Sequence, residues 1–389
     1  YEVGGGDGNV NRWMNGAGHP IRVPVIDLAE VSAGGGSIAW IDPVGALRVG
    51  PKSAGAAPGP VCYDGGGVDP TVTDANLTLG YLDPGALLAG RLAIRADKAE
   101  AAITERLAGP LKLDVDATAA AVVSIVNNAM AEALRIVSVE RGHDAREFSL
   151  VAFGGAGPMH AAELASELGV LEIIIPPIPG GFSALGLVAT DLKRDYVKTF
   201  YAPLTGIDPA DINAVYQGME ESARDMLRAT DIPESRWVFE RAADLRYLRQ
   251  AYELTVPAPA DAVTPETLDA LANGFHEKHR QTYGHENRNE IVQMVNLRLT
   301  AIGRLEGLDL RQTSATGGGS SMTGSRKVWF KGASRIDCAI HDRDKMNAGA
   351  EAPGPAVIQA VDTTIVVPPG WTARADDNGY IIMEASDGC

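Results

Sequence analysis

One stretch, 148–175, constrains the fold more than any other. Phe148 to Phe153 is a β-prone apolar run, followed by Gly154-Gly155-Ala156-Gly157 and then Pro158. Pro158 stands where a helix can begin without losing a needed N–H. The pattern predicts a helix from Met159 to Leu168, closed by Gly169, and then an apolar strand from Leu171 to Ile175. Strand, glycine turn, helix, strand is a βαβ unit. Its two strands must run parallel, because a crossover of this length cannot close a tight hairpin. The chain is therefore read as α/β. Consecutive glycines between a strand and a helix also let backbone approach a ligand closely, and free helix N–H groups favour an anion or a polar ring edge. The same turn could equally be a tight structural corner. It lacks the full dinucleotide fingerprint: the third small position is filled by His160, and no acidic residue ends the next strand. No P-loop pattern occurs in the chain.

Around this unit the periodicity predicts further elements. Val122, Ile125, Val126, Met130, Leu134 and Val137 recur at three- and four-residue steps, which predicts a long helix over 117–140 stopped by Gly142. Helices are also expected over 97–108, 208–230 and 264–284, with strands over 37–41, 237–247, 250–256 and 291–303. The Gly/Ser/Thr stretch 313–325 reads as a linker. The short Pro/Gly-punctuated runs of 326–389 read as a small separate β domain. That divides the chain into a core over 1–200, an α+β region over 201–312 that completes it, the linker and the β domain.

Three further groups could carry chemistry. Gly35, Gly36 and Ser37 close the run Ala33-Gly34-Gly35-Gly36-Ser37, which is either an anion-binding nest or a hairpin corner. Asp74, in Pro70-Thr71-Val72-Thr73-Asp74-Ala75-Asn76, is either a polar group facing a cleft or part of a helix cap. His276, His279 and His285 lie close together, and an i, i+3 pair is compatible with a metal, yet no acidic or Cys cluster completes a tetrahedral site. His160 could touch a bound nucleotide or simply cap its helix. Cys62 has no base beside it.

Bulk properties bound the partners. A net charge of −16 over 389 residues argues against nucleic acid, which demands a basic face. Cys62, Cys338 and Cys389 show no paired spacing, so a reducing cytoplasm is the expected setting. No apolar run approaches the length of a membrane span. The chain opens at Tyr1, as if mid-element, which suggests an upstream portion.

The motifs together resemble a known family. Glu30 to Trp40, Val49 to Pro60, Pro70 to Leu77, Phe153 to Pro158, Phe182 to Gly186, Ala243 to Tyr247, Tyr252 to Leu254, Tyr283 to His285, Gly354 to Ala356 and Val367 to Trp371 are similar, in order, to the A-type subunits of the hydantoinase/oxoprolinase family. That family includes N-methylhydantoinase, 5-oxoprolinase, caprolactamase-type lactamases and the acetone and acetophenone carboxylases. The resemblance implies an actin/hexokinase-like (ribonuclease H-like) ATPase lobe portion with a small C-terminal β domain. It implies ATP as cofactor, with phosphorylation turning a stable amide or ketone oxygen into a leaving group, and Mg²⁺ meeting the phosphate charge. Gly154, Gly155, Ala156, Gly157 and Pro158 would then be the adenosine turn, with Gly35, Gly36 and Ser37 cleft-lining or phosphate-side, and Asp74 a polar cleft residue of catalytic use. The family's Asp-x-Gly-Gly-Thr phosphate hairpins do not occur here. They, and the Mg²⁺ ligands, are expected on another stretch of polypeptide, so this chain alone should not hydrolyse ATP. Expected partners are that polypeptide, a B-type subunit and a small-molecule substrate, with neither nucleic acid nor membrane. Cyclic amide hydrolysis is the leading activity; ketone carboxylation and a non-catalytic scaffold are the alternatives.

Overall fold

The computed structural model describes residues 3–4, 25–26, 28–85, 90, 92–307 and 320–386. The chain divides into two compact units: Tyr1–Ala184 with Asp309–Cys389, and Leu185–Leu308.

The first unit holds the expected βαβ. Strand β1 (Leu150–Val151) pairs parallel with β2 (Glu172–Ile175), and helix α1 (Gly157–Leu168) joins them. Gly169 caps α1 with φ +72°, a left-handed conformation that glycine adopts without a Cβ penalty. The strand is shorter than Phe148 to Phe153, although Ala152 N–H still donates to Ile174 O at 2.9 Å. The other edge of β2 is taken by β3 (Ile381–Ala385), antiparallel, with Ile381 opposite Ile175.

That pairing corrects the expected domain division. The C-terminal strands are not a separate β domain: they complete a five-stranded sheet with the βαβ strands, because β2 would otherwise bury an unpaired edge. Ile173 and Ile175 pack with Ala352, Ile358, Ile365, Val367, Trp371 and Met383 in one core cluster. A second sheet, Met322–Phe330, Ser334–Asp342, Ala356–Gln359 and Thr364–Val367, adds Val328, Phe330 and Ile340 to the other core of this unit. The linker expected over 313–325 lies outside the described residues as far as 319, and from Met322 onward it is strand.

The long helix spans Val115–Val137, with the Asp114 carboxylate accepting from Ala117 N–H as its N-cap. It is long and apolar enough by composition to cross a membrane, but Ala119, Val122, Val123 and Val126 face the unit's core. A short helix, Val72–Thr78, packs against it.

The second unit is a four-stranded antiparallel sheet, with strand order Leu192–Pro203, Val292–Gly303, Trp237–Tyr247, Leu254–Pro257. The helices Pro209–Arg228 and Pro265–Tyr283 cover it through Tyr216, Phe275, Leu245 and Met294, all fully buried. The mixed α/β class expected from the sequence holds: the parallel βαβ pair lies in the first unit, and the sheet of the second is antiparallel.

Candidate functional site

The site is assembled from four short segments of the first unit. The first is the glycine loop. Gly36 precedes the hairpin Ser37–Ile41/Leu47–Ser53, and Gly35 presses against the helix Val72–Thr78. Thr73 N–H and Thr73 Oγ1 both donate to Gly35 O at 2.9 Å. A Cβ on Gly35 would sit 2.6 Å from Thr73 Oγ1, and one on Gly36 would sit 2.8 Å from Ser53 Oγ, so close approach explains both glycines. Ser37 is buried, and its hydroxyl accepts from Gly34 N–H at 3.1 Å. It closes the loop and does not reach the cavity described below, contrary to the sequence expectation.

The second segment begins with a capping box. Thr71 accepts from Asp74 N–H, while the Asp74 carboxylate accepts from Thr71 N–H and Oγ1, both at 2.8 Å. The same carboxylate accepts from Val61 N–H at 3.2 Å and Cys62 N–H at 2.8 Å. Asp74 is 0% exposed. The expectation of a catalytic Asp74 facing a cleft is therefore corrected: four donors occupy its oxygens and it ties the Val61–Tyr63 turn to the helix. Cys62 beside it is fully buried, and burial, reinforced by the Asp74 charge, pushes its thiol far up, so it is inert.

The third segment is the corner Gly154–Pro158. Gly154 has φ +83°, its N–H donates to Pro179 O at 2.8 Å, and a Cβ there or on Gly157 would meet nothing within 4 Å. The corner is bare peptide. Its shape is fixed by the fourth segment, the hairpin tip 360–363. Buried Thr363 donates through Oγ1 to Gly155 O at 3.1 Å and to Gly154 O at 3.3 Å. Asp362 Oδ2 accepts from Gly180 N–H at 2.7 Å. Sequence reasoning missed this tip because it placed 326–389 in another domain. The available signal was a polar Asp-Thr-Thr between two apolar strands.

These segments enclose a cavity of 330 Å³, at the small end of the roughly 300–1,000 Å³ typical of ligand pockets. Gly35, Gly36, Thr73, Asn76, Gly155, Ala156, Met159 and Thr363 belong to its wall. Gly154, Gly157 and Pro158 do not line it. Its charged wall groups are Asp83 and Asp362; no Lys or Arg lines it among the described residues. Burial would raise the Asp83 carboxyl, but the Gly85 N–H, Gln359 and Arg326 outweigh that and hold it below the usual range, so it is ionised. Tyr63, also in the wall, has its phenol pushed up by burial and by the neighbouring Cys62 and Asp74, and remains a protonated donor.

His160 does not line the cavity. It is buried behind it, with Nδ1 2.8 Å from Asn127 Oδ1 and Nε2 3.3 Å from Asn76 Nδ2, and burial lowers it to about 4. In the second unit, His276 pairs with Tyr247 OH at 2.8 Å. His279 uses both ring nitrogens, on His285 O at 2.7 Å and Gln250 Nε2 at 3.0 Å. These histidines stack with Tyr247, Phe275 and Tyr283 as an aromatic cluster, and no group of three or more metal-binding side chains occurs among the described residues.

Comparison with known proteins matches the same segments. The hydantoinase/oxoprolinase family profile covers residues 2–196, and the hydantoinase/oxoprolinase C-terminal domain covers 208–385. The alpha subunit of caprolactamase from Pseudomonas jessenii is 36% identical over 378 residues, which is 96% of this chain and 54% of that protein. The gamma subunit of acetophenone carboxylase from Aromatoleum aromaticum is 32% identical over 394 residues, 97% of this chain and 52% of the other. The crystal structure of the ATP-dependent caprolactamase from Pseudomonas jessenii superimposes with a TM-score of 0.75 at 35% identity, over 94% of this chain and 54% of that one. The chain thus spans about half the length of these relatives. On the matched family profiles and the shared fold, the chain belongs to the hydantoinase/oxoprolinase family.

Proposed function

We propose that this chain is part of a cytoplasmic ATP-dependent enzyme that opens a cyclic amide, and that the 330 Å³ cavity holds the nucleoside side of the nucleotide. The observation that carries this is the corner at Gly155–Ala156, whose Gly155 carbonyl accepts from Thr363 and which lines a cavity whose charged wall groups are carboxylates. Such a wall repels a triphosphate and suits a neutral, hydrogen-bonding ring or sugar. The phosphates and Mg²⁺ then belong to a different stretch of protein, in keeping with the missing Asp-x-Gly-Gly-Thr hairpins. ATP supplies the phosphoryl group that activates the substrate carbonyl; this chain's residues bind, orient and exclude water. A B-type subunit and the hairpin-bearing polypeptide are the partners this reading requires.

The caprolactamase similarity favours an amide substrate, while the acetophenone carboxylase similarity supports the second reading, ATP-dependent ketone carboxylation. Coupling separates them: ATP hydrolysis by the assembled enzyme should rise with a hydantoin, 5-oxoproline or a lactam and not with a ketone plus bicarbonate. For the site itself, Gly155→Trp is the test. A Cβ there meets only Asp362 O, at 3.6 Å, so the backbone tolerates the change while the ring occupies cavity space. ATP affinity should drop at least tenfold with the fold intact; unchanged affinity would remove the nucleoside assignment.

A further inference from the structure

Two residues of the cavity wall, Asp83 and Gln359, form a pair whose hydrogen bonding is dictated by a largely buried arginine. Arg326 comes from the strand Met322–Phe330, and every nitrogen of its guanidinium has a protein acceptor: Nε donates to Gly80 O at 2.8 Å, Nη2 to Tyr81 O at 2.9 Å and Nη1 to Asp83 Oδ2 at 3.2 Å. Trp329 N–H also donates to Leu79 O at 2.9 Å, so the turn that carries Asp83 is docked on that strand. Gln359 ends the strand Ala356–Gln359, and its Nε2 donates to the same Asp83 Oδ2 at 3.1 Å. An ionised carboxylate only accepts, so the nitrogen of the Gln359 amide must face Asp83 and its oxygen must face away. That oxygen has no donor among the described residues, and it is not sealed from solvent.

Counting lone pairs shows what is left for a ligand. Asp83 Oδ2 takes two donors, Arg326 and Gln359. Oδ1 takes one, the Gly85 N–H at 2.8 Å, and keeps a second acceptor position. The Asp83 side chain is 36% exposed, so a ligand can reach it. The pair therefore offers the cavity two neighbouring acceptors and no donor, one on a charged carboxylate and one on an amide. A purine edge with an exocyclic amine sets a donor beside a ring-nitrogen acceptor and fits such a pair poorly. Two vicinal hydroxyls fit it, because both can donate, and a hydroxyl on a carboxylate is among the stronger hydrogen bonds. Gln359 stands opposite Thr364 at the foot of the hairpin whose tip residue Thr363 bonds the glycine corner, so one short hairpin connects the corner with the acceptor pair.

We propose that Asp83 and Gln359 are the sugar subsite of this cavity, accepting from the two ribose hydroxyls of a ribonucleotide, with Arg326 as the positioning residue that fixes the carboxylate. The assignment rests on the cavity being the nucleoside site, and it makes the cavity selective for ribonucleotides over deoxyribonucleotides.

The test uses the full protein that contains this chain and measures Kd by titration calorimetry for ATP, 2′-deoxy-ATP, 3′-deoxy-ATP and ITP. At least one deoxy form should bind the wild type about tenfold more weakly than ATP, the loss expected when a hydroxyl donor to a charged acceptor is removed. Asp83→Ala should bring that ratio to about one. Gln359→Met, which keeps the length of the side chain and removes its amide, should do the same for at least one of the two hydroxyls. Arg326→Met should shrink the ribose preference while leaving the ATP-to-ITP ratio at its wild-type value, because the ring is read elsewhere; movement of both ratios, or of neither, overturns the positioning role. A wild type that binds ATP and both deoxy forms equally, or an Asp83→Ala protein that keeps its preference, overturns the sugar subsite. If Asp83→Ala does not fold, Gln359→Met decides, and unchanged ratios there overturn the pair. A wild type that binds no ATP overturns the nucleoside reading itself, so the two failures are distinguishable.

Discussion

Asp74→Asn separates a structural carboxylate from a catalytic one. In the native protein Oδ2 accepts from Thr71 N–H, Thr71 Oγ1 and Val61 N–H, and Oδ1 accepts from Cys62 N–H, all without solvent. The asparagine that retains most of this places its oxygen at the Oδ2 position. Three donors stay satisfied, now by a neutral acceptor, and the amino group meets the Cys62 N–H head on. One orphaned buried donor costs about 1–3 kcal/mol, and hydrogen bonds to a charged acceptor weaken when it is neutralised, so the loss should total about 2–3 kcal/mol. At about 2–4 °C per kcal/mol for a unit of this size, Tm should fall by roughly 4–12 °C. Asp74→Ala, which strands all four donors, should lose about 5 kcal/mol. Chemical denaturation followed by circular dichroism measures the loss. Turnover of the assembled enzyme at 20 °C, normalised to folded protein, should stay within a few-fold of wild type for Asp74→Asn. A collapse of turnover with an unchanged denaturation midpoint would mean that the carboxylate acts on substrate and that the capping account is wrong.

Other outcomes follow from the same contacts. Thr363→Val keeps the side-chain shape and removes the donor to Gly154 O and Gly155 O; it should cost about 1–2 kcal/mol by thermal melt and weaken ATP binding several-fold, whereas wild-type affinity would show that the corner holds its shape unaided. A Cβ on Gly67 would lie 2.1 Å from Gly59 O, a backbone atom that cannot swing aside, so Gly67→Ala should lower the folded yield sharply, and a normal melt would contradict the packing of that loop. His160 ionises at about 4 in the folded chain against an ordinary 6.5. Above 6.5 neither state is charged; between 6.5 and 4 the unfolded chain takes a proton that the folded chain refuses, so stability falls as pH falls through that window, at up to about 1.4 kcal/mol per pH unit. His160→Gln should flatten that part of the stability profile, and an unchanged slope would place the acid sensitivity elsewhere.

Some of this was legible in the sequence because it depends only on neighbours along the chain. The βαβ around Gly154–Pro158 follows from the run of apolar strand, glycines, proline and helix, and Gly169 closes the helix where the pattern stops. That Asp74 belongs to a helix cap was readable from the Thr/Asp cluster before a short apolar run; that Thr71 is the residue it pairs with was not. What could not be read is what depends on contacts across the chain. Nothing local announces that Ile381 pairs with Ile175, so the C-terminal strands seemed a domain of their own, and the hairpin tip that fixes the corner was lost with them. Asn76, Asn127 and His160 sit on three helices, each an unremarkable polar residue on an otherwise apolar face. Their meaning appears only where the helices meet: a lone buried amide or imidazole would be a liability, but joined to the Glu163 carboxylate the three acquire a defined direction of hydrogen bonding. That direction ends on the wall of the cavity beside the glycine corner. The two motifs most visible in the sequence, Thr73 to Asn76 and Gly154 to His160, are therefore two sides of one site, and the residues joining them are the ones that periodicity assigns to the core.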